Sequence, residues 1–200
     1  MKTDILIAGS GCSGLYCALQ LPRDKKITVI TKSDLTSNDS FLAQGGMCML
    51  KEQSDYDSFF EDTMKAGHYE NDKKSVEIMI KTSPEVVRDL VSYGAQFERN
   101  EDGSLAYTKG QKSQASPGQG RHQDGHRQCD DKAEDVTGKE ITSTLLREVQ
   151  KLSNVELLEY TTLVDILEKD NHCYGAVIRR PDGSLDTVTA TYTVLASGGV

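Results

Sequence analysis

The sequence predicts an α/β fold, a mostly parallel and doubly wound sheet, and three observations predict it. Residues 4–8 (DILIA) make an apolar, buried-type strand that runs straight into Gly9-Ser10-Gly11-Cys12-Ser13-Gly14. Residues 15–21 (LYCALQL) continue at helical spacing up to Pro22, and residues 27–31 (ITVIT) are a second, β-branched strand. Strand, glycine turn, helix and strand within about thirty residues is the length of a βαβ unit. The third observation comes late in the chain. Strand candidates at 155–159, 163–167 and 174–180, with Pro181-Asp182-Gly183-Ser184 as a hairpin turn, predict a small antiparallel β-meander inserted into that fold.

The segments between follow in order. Residues 55–97 are helical and amphipathic, and Ser83-Pro84 reads as a helix start, Ser capping and Pro at the first helical position. Hydrophobic residues nearly vanish from 101 to 135, so residues 109–134 are expected to be a long loop or disordered. Thr137-Gly138-Lys139-Glu140 has capping-box spacing before the helical run ITSTLLREVQKL. The stretch LDTVTATYTVLA leads into Ser197-Gly198-Gly199-Val200, where a doubly wound domain should go on into another helix. One dinucleotide-binding domain over 1–200, truncated at that point, is the expected organisation.

Composition removes other classes. A net charge of -8 argues against a nucleic-acid partner, because affinity for phosphate backbones comes largely from Lys and Arg. With 36% hydrophobic and 27% charged residues, and no long apolar run, neither a signal peptide nor a membrane span is readable. The five cysteines (Cys12, Cys17, Cys48, Cys129, Cys173) are an odd number with no Cys-x-x-Cys pair. That suits free thiols in a reducing cytoplasm.

The pattern Gly9-x-Gly11-x-x-Gly14 between a strand and a helix is the dinucleotide fingerprint. Gly9 permits the tight turn, Gly11 the approach of a pyrophosphate, and Gly14 close helix–strand packing. Ser10, Cys12 and Ser13 fill the intervening places with small side chains, and Cys12 is read as one of these, not as a redox thiol. The phosphates would sit at the helix N-terminus, where free N–H groups and the dipole favour negative charge. The bland alternative is a tight structural turn. A nicotinamide site would also want an acid after the second strand, and Thr31-Lys32-Ser33 stands there instead. Either Lys32 serves at that place or Asp34 reaches back.

Asp39-Ser40-Phe41-Leu42-Ala43-Gln44-Gly45-Gly46 narrows the choice. Alone it is a polar turn leading to a flexible run whose backbone could lie against a flat ring or a phosphate. Joined to the upstream unit, it resembles the Ala-Gln-Gly-Gly motif of the succinate dehydrogenase, fumarate reductase and L-aspartate oxidase flavoprotein family. Thr31-Lys32, Phe60-Glu61-Asp62-Thr63, Tyr93-Gly94-Ala95-Gln96-Phe97, Thr137-Gly138-Lys139-Glu140-Ile141, Leu163-Val164-Asp165 and Ala196-Ser197-Gly198-Gly199 resemble further family segments in the same order. The resemblance implies a Rossmann-like FAD-binding domain. Residues 39–46 would lie along the isoalloxazine and ribityl chain, Val164 at the adenine end, and Ala196-Ser197-Gly198 over the pyrophosphate.

One position separates branches of that family. Members with covalent flavin carry a histidine five residues before the motif glutamine, and Asp39 stands here. Non-covalent FAD is implied. The runs KSDLTSNDSFLAQGG and TGKEITSTLLREV resemble the aspartate oxidase branch. That branch implies oxidation of L-aspartate to iminoaspartate with oxygen or fumarate as acceptor, feeding quinolinate and NAD biosynthesis. It also implies quinolinate synthase as a partner, and substrate-binding arginine and histidine residues in capping and helical domains beyond residue 200. A soluble fumarate reductase or succinate dehydrogenase-type flavoprotein is the alternative, and a nucleotide-binding remnant without activity is a third reading.

The chain departs from the family at 108–135. Thr108-Lys109-Gly110-Gln111-Lys112-Ser113 stands where the branch carries Thr-Arg-Glu-Gly-Gly-His-Ser, so no catalytic residue can be carried over. A locally altered reading frame and a diverged loop both account for this. His122, His126 and Cys129 beside Asp130 and Asp131 have transition-metal chemistry, but the expectation is solvated residues and no metal. His68 falls at a helix end and His172 in a turn, both read as structural.

Overall fold

The computed structural model describes residues 1–109, 127–129 and 137–198. These fall into two compact units, one of Met1–Ala43 with the chain from Gly138 onward, the other of Gln44–Thr137.

In chain order the elements are β1 (Ile5–Ala8), α1 (Cys12–Gln20), β2 (Ile27–Ile30), α2 (Asp39–Leu42), β3 (Met47–Met49), α3 (Tyr56–Ala66), α4 (Lys73–Ser92), β4 (Tyr107–Lys109), β5 (Arg127–Cys129), α5 (Thr137–Gln150), β6 (Val155–Leu158), β7 (Thr162–Lys169), β8 (His172–Arg179), β9 (Leu185–Thr189) and β10 (Tyr192–Leu195).

In the first unit four parallel strands form a sheet in the order β10-β1-β2-β6. β1 and β2 are buried at every position, as continuous Ile/Val/Leu-rich runs covered on both faces must be. Successive side chains point to opposite faces. Leu6, Ala8 and Ile30 therefore share one face, where they cluster with Ala176, Ile178 and Val188 of the antiparallel β7-β8-β9 meander. Ile7 belongs to the other face, toward α1, which buries Leu15, Ala18 and Leu19. Each such Leu or Ile contributes roughly 1.5–3 kcal/mol by leaving water.

The expected parallel sheet, βαβ unit and meander are all present. The stretch LDTVTATYTVLA divides into β9, in the meander, and β10, in the parallel sheet. Between them the Ala190 N–H donates to Tyr174 O (2.9 Å) and the Thr191 N–H to Asp4 O (3.0 Å).

In the second unit α3 and α4 enclose a cluster of Leu50, Phe59, Met64, Val76 and Ile80, and β3-β5-β4 form an antiparallel sheet. Three expectations are corrected. Ser83-Pro84 does not start a helix: α4 begins after Asp72, whose carboxylate accepts the Ser75 N–H (2.7 Å), and carries Pro84 inside it. Pro84 has no N–H for the carbonyl of Ile80, and the Ser83 hydroxyl donates to that oxygen instead (2.7 Å). Residues 107–109 and 127–129 are not loop but paired strands, because the two segments hydrogen-bond to each other and β5 also pairs with β3. The rest of 109–134, with His122, His126, Asp130, Asp131 and the Cys129 side chain, lies outside the described residues. Finally, α5 starts at Thr137 itself, whose hydroxyl oxygen accepts the Gly46 N–H (2.9 Å).

Candidate functional site

β1, β2 and β10 end at one edge of the parallel sheet, and their last residues (Ala8, Ile30, Leu195) line a cavity of about 590 Å³. From β1 the chain goes to β2 on one side, and β10 returns to its other side. A crevice outside the carboxyl ends of strands where the order switches is where open α/β sheets bind ligands. Its volume suits a nucleotide-sized molecule.

The glycine turn forms one wall. Gly9 has φ +121°, and a Cβ there would stand 2.1 Å from the Ala196 carbonyl oxygen, so only glycine lets β1 and the end of β10 close up. A Cβ on Gly14 would stand 2.0 Å from Gly9 O, which holds α1 tightly under the turn. Gly11 stands at the cap position of α1 and has no side chain to bond the first turn; Ser40 Oγ accepts the Cys12 N–H from across the cavity wall (3.2 Å). Ser10, Gly11 and Ser13 line the cavity, so the first turn of α1, the positive end of the helix dipole, borders it.

The opposite wall is the segment after β2. Thr31, Lys32, Asp39 and Ser40 line the cavity, as do Ala196, Ser197 and Gly198. Asp34 does not. Its carboxylate accepts bonds from the Ser37 hydroxyl, the Thr36 hydroxyl (2.7 Å) and the Thr36 N–H (3.0 Å), which hold its pKa down to about 2. Of the two residues the sequence left open, Lys32 lines the cavity and Asp34 does not.

Other expected residues stand elsewhere. Gly14 supports the turn from below, and Cys12 presents its backbone N–H to Ser40 Oγ (3.2 Å) and its Sγ to Thr142 Oγ1 (3.3 Å). Asp39 to Leu42 form the short helix α2, not a turn, because Asn38 caps it. Phe41, Leu42 and Ala43 are outside the cavity lining, and Gln44, Gly45 and Gly46 belong to the second unit, both glycines at positive φ. Val164 is 51% exposed and sits in a bulge of β7, between Leu163 and Asp165, where its backbone is left out of the ladder. Its neighbour Leu163 lines the cavity.

Sequence reading missed Ser37, Asn38, Thr161 and Thr162 in the lining. Asn38 before Asp-Ser-Phe is an N-cap pattern and was readable. Thr161 and Thr162 arrive through the Tyr160 N–H bond to Ser33 O and the Thr161 N–H bond to Thr31 O (2.8 Å), a pairing that no local signal announces. His68 is exposed beyond α3, and His172 is exposed at the start of β8 against the Tyr174 ring. Among the described residues no cluster could hold a metal ion, and no helix is long and apolar enough to cross a membrane.

A glycine turn at a helix N-terminus, opening on a switch-point crevice with a lysine in place of the ribose acid, defines a dinucleotide-binding domain of the flavoprotein kind. The family model described as an FAD binding domain matches residues 4–200, and the chain belongs to that family. It is 37% identical over 200 residues to an L-aspartate oxidase of Clostridium acetobutylicum, covering 100% of this chain and 43% of that protein. An L-aspartate oxidase of Clostridium perfringens is 36% identical over 201 residues, covering 98% and 42%. A solved E. coli quinol fumarate reductase superposes with a TM-score of 0.85 at 25% identity, over 100% of this chain and 33% of that one. The chain thus spans less than half the length of the proteins it matches. Its cofactor is FAD, and the cavity, the N-terminal end of α1 and Lys32 suit a dinucleotide's pyrophosphate and ribose.

Proposed function

We propose that this chain is the FAD-holding portion of an L-aspartate oxidase, which oxidises L-aspartate to iminoaspartate for quinolinate and NAD biosynthesis. The observation that carries the reading is Asp39 on α2, at the cavity wall, where covalent members of the family would place histidine. A carboxylate does not supply the imidazole nitrogen such a bond needs, so FAD is held by contacts alone. The higher identity to aspartate oxidases than to the fumarate reductase supports the same branch.

FAD, when bound, supplies the two-electron acceptor for a hydride from the substrate α-carbon. The residues of this chain do the holding. The first turn of α1 and Lys32 meet negative charge, Gly9 and Gly14 keep the turn tight, and the buried Ala8 and Ile30 give the crevice an apolar floor. Recognition of the two substrate carboxylates belongs to segments beyond this chain, and oxygen or fumarate takes the electrons. Quinolinate synthase is the partner that would consume the unstable imine.

The complete protein should release peroxide with L-aspartate under air. Electron transfer with succinate or fumarate as the sole substrate, and none with L-aspartate, would assign it to the dehydrogenase branch instead.

A further inference from the structure

Asn38 lies outside the glycine fingerprint and touches it. Its side-chain oxygen accepts the Phe41 N–H (3.0 Å) and so caps α2. Its amide nitrogen faces two carbonyls, Leu35 O at 3.0 Å and, inside the glycine turn, Ser10 O at 3.5 Å. An N–H donor on one side and two acceptors on the other fix which end of the amide is oxygen. Two neighbouring bonds join the same segments: Ser10 Oγ donates to Leu35 O (3.4 Å), and the Cys12 N–H donates to Ser40 Oγ (3.2 Å). The Cys12 N–H is a first-turn donor of α1 and Ser40, which takes it, also lines the cavity, so the placing of Ser40 shapes the wall beside that helix end.

We propose that Asn38 is a positioning residue of the cofactor site, holding the segment that carries Ser40 against the glycine turn and thereby setting the affinity for FAD. The inference rests on the reading of this crevice as the FAD site. Capping alone is a different role, and chemistry separates the two. Asp and Ser cap helices about as well as Asn. Asn38→Asp keeps the cap but turns the donor into an acceptor facing two carbonyls. Asn38→Ser keeps the cap but is too short to reach them. Asn38→Ala loses both.

The experiment is a flavin-fluorescence titration of FAD into the chain and its three variants, with far-UV circular dichroism of each before FAD is added. N38S, which loses one good bond and one long one, should bind about three- to tenfold more weakly than the native chain, and N38D, which also sets a carboxylate against two carbonyls, about ten- to a hundredfold more weakly. N38D should be no better than N38A. Native affinity in a folded N38D overturns the proposal, since a pure cap would survive that change. Should N38D fail to fold, N38S decides: native affinity overturns the proposal and a loss of threefold or more supports it. A native chain that takes up no FAD defeats the FAD reading first, before any variant is compared, and this inference with it.

Discussion

Replacing Gly9 by alanine attacks the crevice at the point where two strands close. The new methyl carbon would lie 2.1 Å from Ala196 O, 2.6 Å from its carbonyl carbon and 3.1 Å from the Ser197 nitrogen. All three are backbone atoms, and Ala196 is itself bonded to Ala8 (N to O, 2.8 Å), so no side chain can swing aside. Forcing an L-residue to φ +121° costs about 1–3 kcal/mol, and the overpacking adds about 1–3 kcal/mol. The sum, roughly 2–6 kcal/mol, is a large part of the 5–15 kcal/mol that keeps a typical domain folded. Gly183→Ala is the matched control: φ is +83°, but nothing lies within 4 Å of its Cβ position. That change should cost only about 1–2 kcal/mol, the backbone part alone. Urea unfolding followed by circular dichroism, with FAD titration on the folded fraction, measures both. A Gly9→Ala chain with the urea midpoint of Gly183→Ala would refute the steric argument.

Further expectations concern charge, protonation, thiols and the second unit. Lys32→Glu should weaken FAD binding by about tenfold or more at low salt, with a smaller loss at high salt, because the cavity-facing cation becomes an anion. Equal affinity at all ionic strengths would remove Lys32 from the site. The Ser37 and Thr36 donors lower the Asp34 pKa from 3.8 to about 2, so their bonds are fully made above 3.8 and lost as pH falls through about 2. A carboxyl titration followed by NMR should show that low midpoint, and a midpoint near 4 would mean the loop is open. Burial raises the Cys17 thiol, whereas Cys48 is exposed, so a thiol reagent should label Cys48 well before Cys17. Ile80→Ala, in a fully buried position of the α3–α4 cluster, should cost about 2–5 kcal/mol by urea unfolding.

What the sequence made legible was local chemistry repeated at several levels. Residues 4–14 announce a strand, a turn that needs glycine and a helix, and each agrees with its neighbours, so β1, α1 and the turn were readable together. The meander was readable for the same reason: the strand run at 174–180 and the Asp182 turn, where Oδ1 accepts the Ser184 N–H (3.0 Å), lie within a few residues of each other. Long-range partners were not readable. The bond that makes Ser83-Pro84 a helix interior runs to Ile80, and the Leu50 N–H closes on the same hydroxyl from 33 residues away (2.9 Å). Asp34 looked free to reach a ribose because the side chains that occupy it, Thr36 and Ser37, read only as loop polarity. Likewise, Leu35 is fixed by Glu159, whose Oε1 accepts its N–H (2.9 Å), a pairing across 124 positions that no window could show.

The manner in which flavin is held is the property most directly open to measurement. The purified chain, loaded with FAD and freed of excess, should show a flavin visible spectrum, and acid precipitation should release all of that flavin into the supernatant. Flavin left on the precipitated protein would contradict the non-covalent site built around Asp39, and a chain that never turns yellow would contradict the cradle itself.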